Sequence, residues 1–321
     1  MAQFNIPERD KTSEMRYQMG WKLSDLASEN PDIRIIDADL RSSTGIHIFE
    51  HNHPDKLVKV GIAEQNMASI AAGLSQEGLI PFTCTFDSFS RRYMDQLFIS
   101  IAYNNLNVKM IGAYAGLFTG KAGATHQSDR ELSFILRVPN LIVLEPGTNE
   151  EMRRALEMAV AEDGPFYLRI VRCGVPESVL DSASKFDIGR GVTIGDEGCD
   201  IGLVSTGVML NVCIAAAEKL GKEGIKVRLD HHPSLKPFDT VLLDDMASKT
   251  GAIVTCENHC KSGGLFSIVA EHLVQKGCPL KIGAIGSDIN DFIHTGHVND
   301  LMAHYKMTSD DIVKKVKEIL K

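Results

Sequence analysis

Strand-like apolar runs alternate with amphipathic helical runs almost from end to end of this 321-residue chain, and that alternation leaves few folds open. Arg34–Ala38, Leu57–Ile62, Leu79–Thr85, Val108–Tyr114, Leu141–Leu144 and Phe166–Val171 have the length and apolar character of buried strands. Between them, Glu64–Gln76 carries Met67, Ile70, Ala71 and Leu74 at helical spacing, and Arg91–Tyr103 carries Met94, Leu97, Phe98 and Ile101. A further helix is expected near Asp129–Arg137. Thr148 followed by Glu151 is a capping-box signature for a helix over Glu150–Glu162. Strands separated by helices of this length pair in parallel and form a doubly wound sheet.

The pattern lapses from Cys173 to about Asp187 and then resumes. Strands over Asp200–Ser205, Ile225–Asp230, Ala252–Glu257 and Leu280–Ile285 alternate with helices over Leu210–Lys222, Thr240–Thr250 and Gly264–Lys276. Thr308 with Asp311 opens a last helix, Asp310–Lys321. The expectation is an α/β chain of two doubly wound domains, residues 1–180 and 188–321, joined near 175–190. Its length agrees, because single cores stop growing at roughly 250–300 residues.

Lys and Arg number 34 against 42 Asp and Glu, a net charge of −8 with no basic block. That balance argues against nucleic acid and anionic membranes as general partners and leaves room for local pockets that take small anions. No apolar run approaches the ~20 residues of a membrane span. The first residues lack the apolar stretch of a signal peptide. The seven cysteines are odd in number and lie in apolar stretches, as reduced core thiols do. The expected location is the cytoplasm.

Three stretches carry candidate chemistry. Gly61-Ile62-Ala63-Glu64-Gln65-Asn66-Met67 ends a strand and opens a helix with a carboxylate. Glu64 there complements the helix dipole, a gain of a few tenths to ~1 kcal/mol, or serves a ligand at the carboxyl edge of the sheet. Gly120-Lys121-Ala122-Gly123-Ala124-Thr125-His126-Gln127 lies in a loop of a length uncommon in a compact domain unless functional, and either it is a surface loop whose His126 caps the next helix or His126 faces a ligand. Thr83-Cys84-Thr85-Phe86-Asp87-Ser88-Phe89 places aromatics three apart as it leaves a strand, suited to core packing or to stacking a ring. His47, His51 and His53 have metal-like spacing, but HIFEHNHPD runs into a proline turn without a clear helix, so no metal site is assigned. Cys256-Glu257-Asn258-His259-Cys260 lacks a second ligand pair, and Gly189-Arg190-Gly191 precedes a strand instead of following one.

Together these stretches resemble the C-terminal half of the transketolase family. VGIAEQNM is similar to the family segment whose glutamate activates thiamine diphosphate, FTCTFDSF to its pyrimidine pocket, GKAGATHQ to its substrate-histidine loop and DADLRSS to its cofactor-contacting turn. The motifs stand in the family's order, and TCENHCKSGGLFSIVAEHL extends the likeness into the second half. The resemblance implies a thiamine-diphosphate pyrimidine-binding domain followed by a transketolase-type C-terminal domain. It implies catalytic roles for Glu64, bonded to N1′ of the aminopyrimidine, and for His126, bonded to a substrate oxygen. Phe86 and Phe89 would line the ring pocket, Asp39 and Leu40 would contact the cofactor, and Arg16, Ser43 and Arg172 would take the sugar phosphate.

Two positions depart from the family. Ala122 stands where an aspartate reads the acceptor's C2 hydroxyl, and Tyr114 stands where a histidine borders the phosphate. The GDG…NN pattern that holds the diphosphate through Mg²⁺ is missing: Asn104-Asn105 has no GDG before it, and Gly195-Asp196-Glu197 has no asparagine pair after it. The resemblance therefore implies one subunit of a split transketolase, active with an N-terminal-type partner that carries GDG…NN and the Mg²⁺, in a heterotetramer of two chains of each type. The β subunit of a 2-oxo acid dehydrogenase has the same layout and is the nearest rival. A deoxyxylulose-phosphate synthase fragment or a non-catalytic stabilising subunit would also share parts of this pattern.

Overall fold

The computed structural model describes residues 6–179, 186–195, 199–288 and 290–321. Part of the expected joint at 175–190, and Asp196 and Glu197, lie outside them.

Two sheets organise the chain. The first combines β1 (Ile33–Asp37), β2 (Leu57–Lys59), β3 (Ile80–Phe86), β4 (Lys109–Ala113), β5 (Ile142–Leu144) and β6 (Phe166–Arg169). The second combines β7 (Val192–Ile194), β8 (Ile201–Ser205), β9 (Val227–His231), β11 (Ala252–Cys260) and β12 (Lys281–Ser287), while the intervening β10 (Ser234–Lys236) joins the first sheet. The strand orders are β10-β5-β6-β4-β3-β1-β2 and β12-β11-β8-β9-β7. Every pairing is parallel except β10 on β5 and β7 on β9, so each sheet is mixed at one edge. These edge strands are three residues each, too short to leave a periodic signal.

The helices are α1 (Met15–Glu29), α2 (Arg41–Thr44), α3 (Ile46–Asn52), α4 (Glu64–Gln76), α5 (Leu132–Ile135), α6 (Asn149–Ala161), α7 (Met209–Lys222), α8 (Thr240–Lys249), α9 (Leu265–Gln275), α10 (Val298–His304) and α11 (Ser309–Leu320). Side chains alternate across a strand, so Ile33 and Ile35 pack into one apolar cluster with α1 and α6, and Ile36 packs into another with α4. That second cluster continues through Leu235 of β10 to Val204 and Ile253 of the second sheet, so the two halves share a core.

Helix α1 escapes the sequence reading, and three local expectations need correction. Helix α1 leaves a weak apolar stripe because Arg16, Gln18 and Ser24 lie on its buried face. The HIFEHN stretch does form a helix, α3, with His47 and His53 bonded to the carbonyls of Arg41 and Ser24. Arg91–Tyr103 is not one α-helix: a 3₁₀ stretch covers Asp87–Tyr93 and a π-helix covers Gln96–Ala102. In the π-helix the Tyr103 amide bonds the Phe98 carbonyl five residues back. The wider turn breaks the 3.6-residue spacing, so Leu97 and Ile101 are buried while Phe98 is turned outward. Near Asp129–Arg137, only Leu132–Ile135 is helical.

Candidate functional site

Parallel strands bring their carboxyl ends to one edge, and the residues just beyond β1, β3, β4 and β6 meet there. Past β2, Glu64 is the first residue of α4 and is only 4% exposed. Arg92, from the 3₁₀ stretch after β3, donates to both carboxylate oxygens at 3.1 and 3.3 Å, and its guanidinium lies 4.6 Å over the Phe89 ring. The two residues share an open cavity of about 610 Å³ with Ala63, Gln65, Asn66 and Arg91. Sequence reading missed Arg92, since nothing in the mixed polar run DSFSRRYMDQ joins it to Glu64.

Phe86 ends β3 and is buried, and its ring stacks on Tyr114 at 4.1 Å between centroids. Phe86 and Phe89 are 5.4 Å apart, and His126 stands 5.7 Å from the first and 5.4 Å from the second. Residues separated in sequence thus form one aromatic shelf with an imidazole on it. The loop carrying His126 is closed by a bridge between Gly116 and Ser128. Inside it, Gln127 Nε2 donates to the Gly120 carbonyl at 2.8 Å, and Thr125 Oγ1 lies 2.8 Å from His126 Nδ1. Asn258 of β11 holds the loop's first turn: its Oδ1 accepts from the Leu117 amide at 2.9 Å and its Nδ2 donates to the Ala115 carbonyl at 3.0 Å. Gly116 admits that approach, because a Cβ there would lie 2.2 Å from Asn258 Oδ1 and its φ is +63°.

The predicted anion residues gather around Tyr114, which follows β4 with φ +64°. Arg16 donates to its hydroxyl at 3.0 Å, and that hydroxyl donates to the Ser43 carbonyl at 3.0 Å. Arg172 lies 5.3 Å over its ring. The predicted cofactor turn after β1 is shaped by Asp37, whose carboxylate accepts from the amides of Asp39 (2.9 Å) and Leu40 (3.1 Å). Burial pushes the Asp37 carboxyl above its usual range, although both amides pull the other way. Asp39 adopts φ +67°, and its exposed carboxylate meets Arg41.

Behind the shelf runs a buried polar seam with no spacing signature in the sequence. Arg169 donates to Asp87 at 2.9 Å, to the Ser128 and Asn258 carbonyls at 2.9 Å each, and to Glu145. Tyr167 and Ser128 also donate to Asp87. Glu257 accepts from the Leu265 and Phe266 amides at the start of α9 at 2.7 and 2.9 Å. Burial outweighs those donors and pushes its carboxyl up to about 8. Among the described residues no group of three or more His, Cys, Asp or Glu side chains is placed to hold a metal ion. No helix there is long and apolar enough to cross a membrane.

Comparison with known proteins places this geometry in context. Residues 11–176 match the transketolase pyrimidine-binding domain family, and residues 190–312 match the transketolase C-terminal domain family. The chain is 36% identical to the 6-deoxy-6-sulfo-D-fructose transketolase subunit of Clostridium sp. (strain MSTE9), over 92% of its own length and 91% of the relative's. It is 31% identical to a subunit of the apulose-4-phosphate transketolase of Phocaeicola vulgatus, over 93% and 95% respectively. Among solved structures, a split-gene transketolase described as an inactive β4 tetramer superposes with a TM-score of 0.87 at 37% identity, covering 96% of this chain and 98% of that one.

Proposed function

This chain belongs to the transketolase family, and from that premise we propose that it is the C-terminal-type subunit of a split transketolase. With an N-terminal-type partner it would move a two-carbon ketol unit from a ketose phosphate to an aldose. The observation that carries the reading is the convergence of a buried Glu64 carboxylate, the Phe86–Phe89 shelf and His126 at one sheet edge. The relatives support a two-chain enzyme, since two are named as transketolase subunits and a similar chain is described as a split-gene transketolase in an inactive β4 tetramer.

The donor set fits the pyrimidine half of thiamine diphosphate: a buried carboxylate facing an open cavity beside an aromatic shelf. When bound, the cofactor supplies a carbon nucleophile that cleaves the bond next to a ketose carbonyl. Glu64 would hold a proton at N1′ of the ring, while Phe86 and Phe89 pack its face and exclude water. The Asp39–Leu40 turn would contact the cofactor. His126 would donate to the carbonyl or hydroxyl oxygen of the sugar as charge gathers there. The domain 1–180 supplies all of these groups and the domain 188–321 packs against it, while the binding of the diphosphate and its Mg²⁺ is assigned to the partner, in a cytoplasmic assembly of two chains of each type. Ala122 removes a carboxylate from the acceptor's path, so acceptors that lack the usual C2 hydroxyl geometry are candidates.

Mixing the chain with a partner carrying GDG…NN, then supplying xylulose 5-phosphate and ribose 5-phosphate, tests the reading. We expect turnover only from the mixture, and loss of at least about 100-fold in the Glu64→Gln complex with assembly unchanged. Turnover by the lone chain, or a mixture that oxidises pyruvate but transfers no ketol group, overturns it.

A further inference from the structure

We propose that Asn258 is a positioning residue for ketol transfer: from the C-terminal half of the chain it sets the pose of the His126 loop, and so of the imidazole that meets the sugar. The inference rests on the ketol-transfer reading and deepens it. The shelf and its imidazole come from the first half of the chain, and Asn258 gives the second half a part in the reaction.

Asn258 lies in Cys256–Cys260, the stretch that has too few ligands to make a metal site. β11 pairs with β12 in register as far as Cys256 on Ile285, and pairing resumes at Cys260 on Ser287, so four steps along one strand match two along the other. A bulge of this kind bends a strand and re-aims its side chains. The Asn258 side chain is fully buried, and both ends of its amide serve the main chain of the first half: Oδ1 accepts from Leu117 at 2.9 Å and Nδ2 donates to Ala115 at 3.0 Å. One donor and one acceptor on either side of a turn fix both its position and its orientation. The Asn258 carbonyl accepts from Arg169 Nη2 at 2.9 Å, and the same nitrogen donates to the Ser128 carbonyl at 2.9 Å. One residue thus holds the entry of the loop through its side chain and the exit through Arg169. The exit has further ties to the second sheet, because the Cys260 amide donates to the Asp129 carbonyl and Ser287 Oγ donates to the Asp129 carboxylate, both at 2.7 Å.

Between these anchors a short series of contacts carries the constraint to the imidazole. Leu117–Thr119 is a 3₁₀ turn closed by the Gly120 amide on the Leu117 carbonyl at 3.0 Å. The Gly120 carbonyl in turn accepts from the buried Gln127 side chain at 2.8 Å. The amides of His126 and Gln127 both bond the Gly123 carbonyl at 3.0 Å. Each link from Asn258 to His126 is therefore one hydrogen bond or one short turn of backbone. A displaced turn at Leu117 moves the Gly120–Gln127 bond, and with it an imidazole that stands 5.7 Å from the Phe86 ring and 5.4 Å from the Phe89 ring. Rate is steep in such placement, since an error of about 1 Å can cost about 100-fold.

Two measurements test the assignment. In the lone full-length chain carrying isotope-labelled histidine, the His126 ring signal, identified by its loss in His126→Gln, should shift or split in Asn258→Ala while the signal of His51 on α3 stays where it was. This arm needs neither partner nor turnover, so its failure is distinct from failure of the ketol-transfer reading. In the reconstituted enzyme, Asn258→Ala should lower kcat about tenfold with thiamine diphosphate affinity unchanged. In the His126→Gln background the same substitution should change kcat by less than about twofold, because the group it displaces is already gone. Asn258→Asp keeps the shape of the side chain and the acceptor for Leu117 but loses the amide donor to Ala115, and it serves as the second variant should Asn258→Ala fail to fold. An unchanged His126 signal, or an equal loss of kcat in both backgrounds, overturns the proposal and leaves Asn258 a purely structural residue.

Discussion

At the scale of single residues, the pairing of Glu64 with Arg92 sets two demands against each other. The carboxylate proposed to meet a ring nitrogen is bonded through both oxygens to a half-exposed guanidinium. An ion pair with one exposed partner contributes at most about 1 kcal/mol, so it can be exchanged. Arg92→Met should therefore tighten thiamine diphosphate binding by the two-chain complex about fivefold. Weaker binding would show instead that Arg92 helps hold the ring. Arg16 makes the opposite case. Removing it takes a donor from Glu14, Tyr17, the Ser43 carbonyl and the Tyr114 hydroxyl at once, so Arg16→Ala should cost about 1–3 kcal/mol in a urea titration. A loss of substrate affinity with stability unchanged would return Arg16 to the ligand. Glu64, Phe86, Phe89 and His126 were legible because their chemistry lies in short local runs. Arg92 was not, since its partner is 28 residues away and nothing in local spacing joins them.

At the scale of elements, regular spacing gave most strands and helices, and failures occur where the geometry departs from 3.6 or 2 residues per repeat. The π-helix Gln96–Ala102 has an apolar pattern that an α-helix would read differently, and α1 conceals polar groups on its buried face. The caps show the same dependence on local chemistry. Thr308 and Asp311 bond reciprocally, whereas Thr148 accepts from the Glu151 amide while the Glu151 carboxylate turns to the Gly147 amide instead. The His126 loop owes its shape to an element distant in sequence, because Asn258 bonds both sides of its first turn. Asn258→Ala leaves a buried amide and a buried carbonyl unpaired and should cost about 2 kcal/mol or more. Hydrogen exchange should quicken at Leu117; unchanged protection there would show that the loop is held by other contacts.

At the scale of the whole molecule, the two halves meet through buried polar groups, and this makes stability depend on pH. Glu257 lies between Arg169 and the start of α9, and burial raises its carboxyl from 4.5 to about 8. Because its folded-state value exceeds its unfolded one, the folded chain binds more protons between these values. The stability this group contributes is complete below pH 4.5 and is lost as the pH rises through about 8. Glu257→Gln should flatten the fall in melting temperature across that window, and an unchanged slope would assign the dependence to other groups. None of this seam was legible beforehand. Asp87, Glu145, Arg169 and Glu257 come from four different strands or the residues just past them, and only the finished topology places them in one buried network.

The crossing of β10 onto the edge of β5 bears on how this polypeptide can be cut. A premature stop or a protease nick in the joint would not release two self-sufficient modules. The upstream fragment would lose its last strand and present a bare row of amides and carbonyls, the kind of edge that recruits other chains into aggregates. The downstream fragment would carry an orphan ribbon with nothing to pair against. Truncation mapping of this protein should respect that stitch: a soluble first half requires residues 234–236 to be supplied, grafted or replaced.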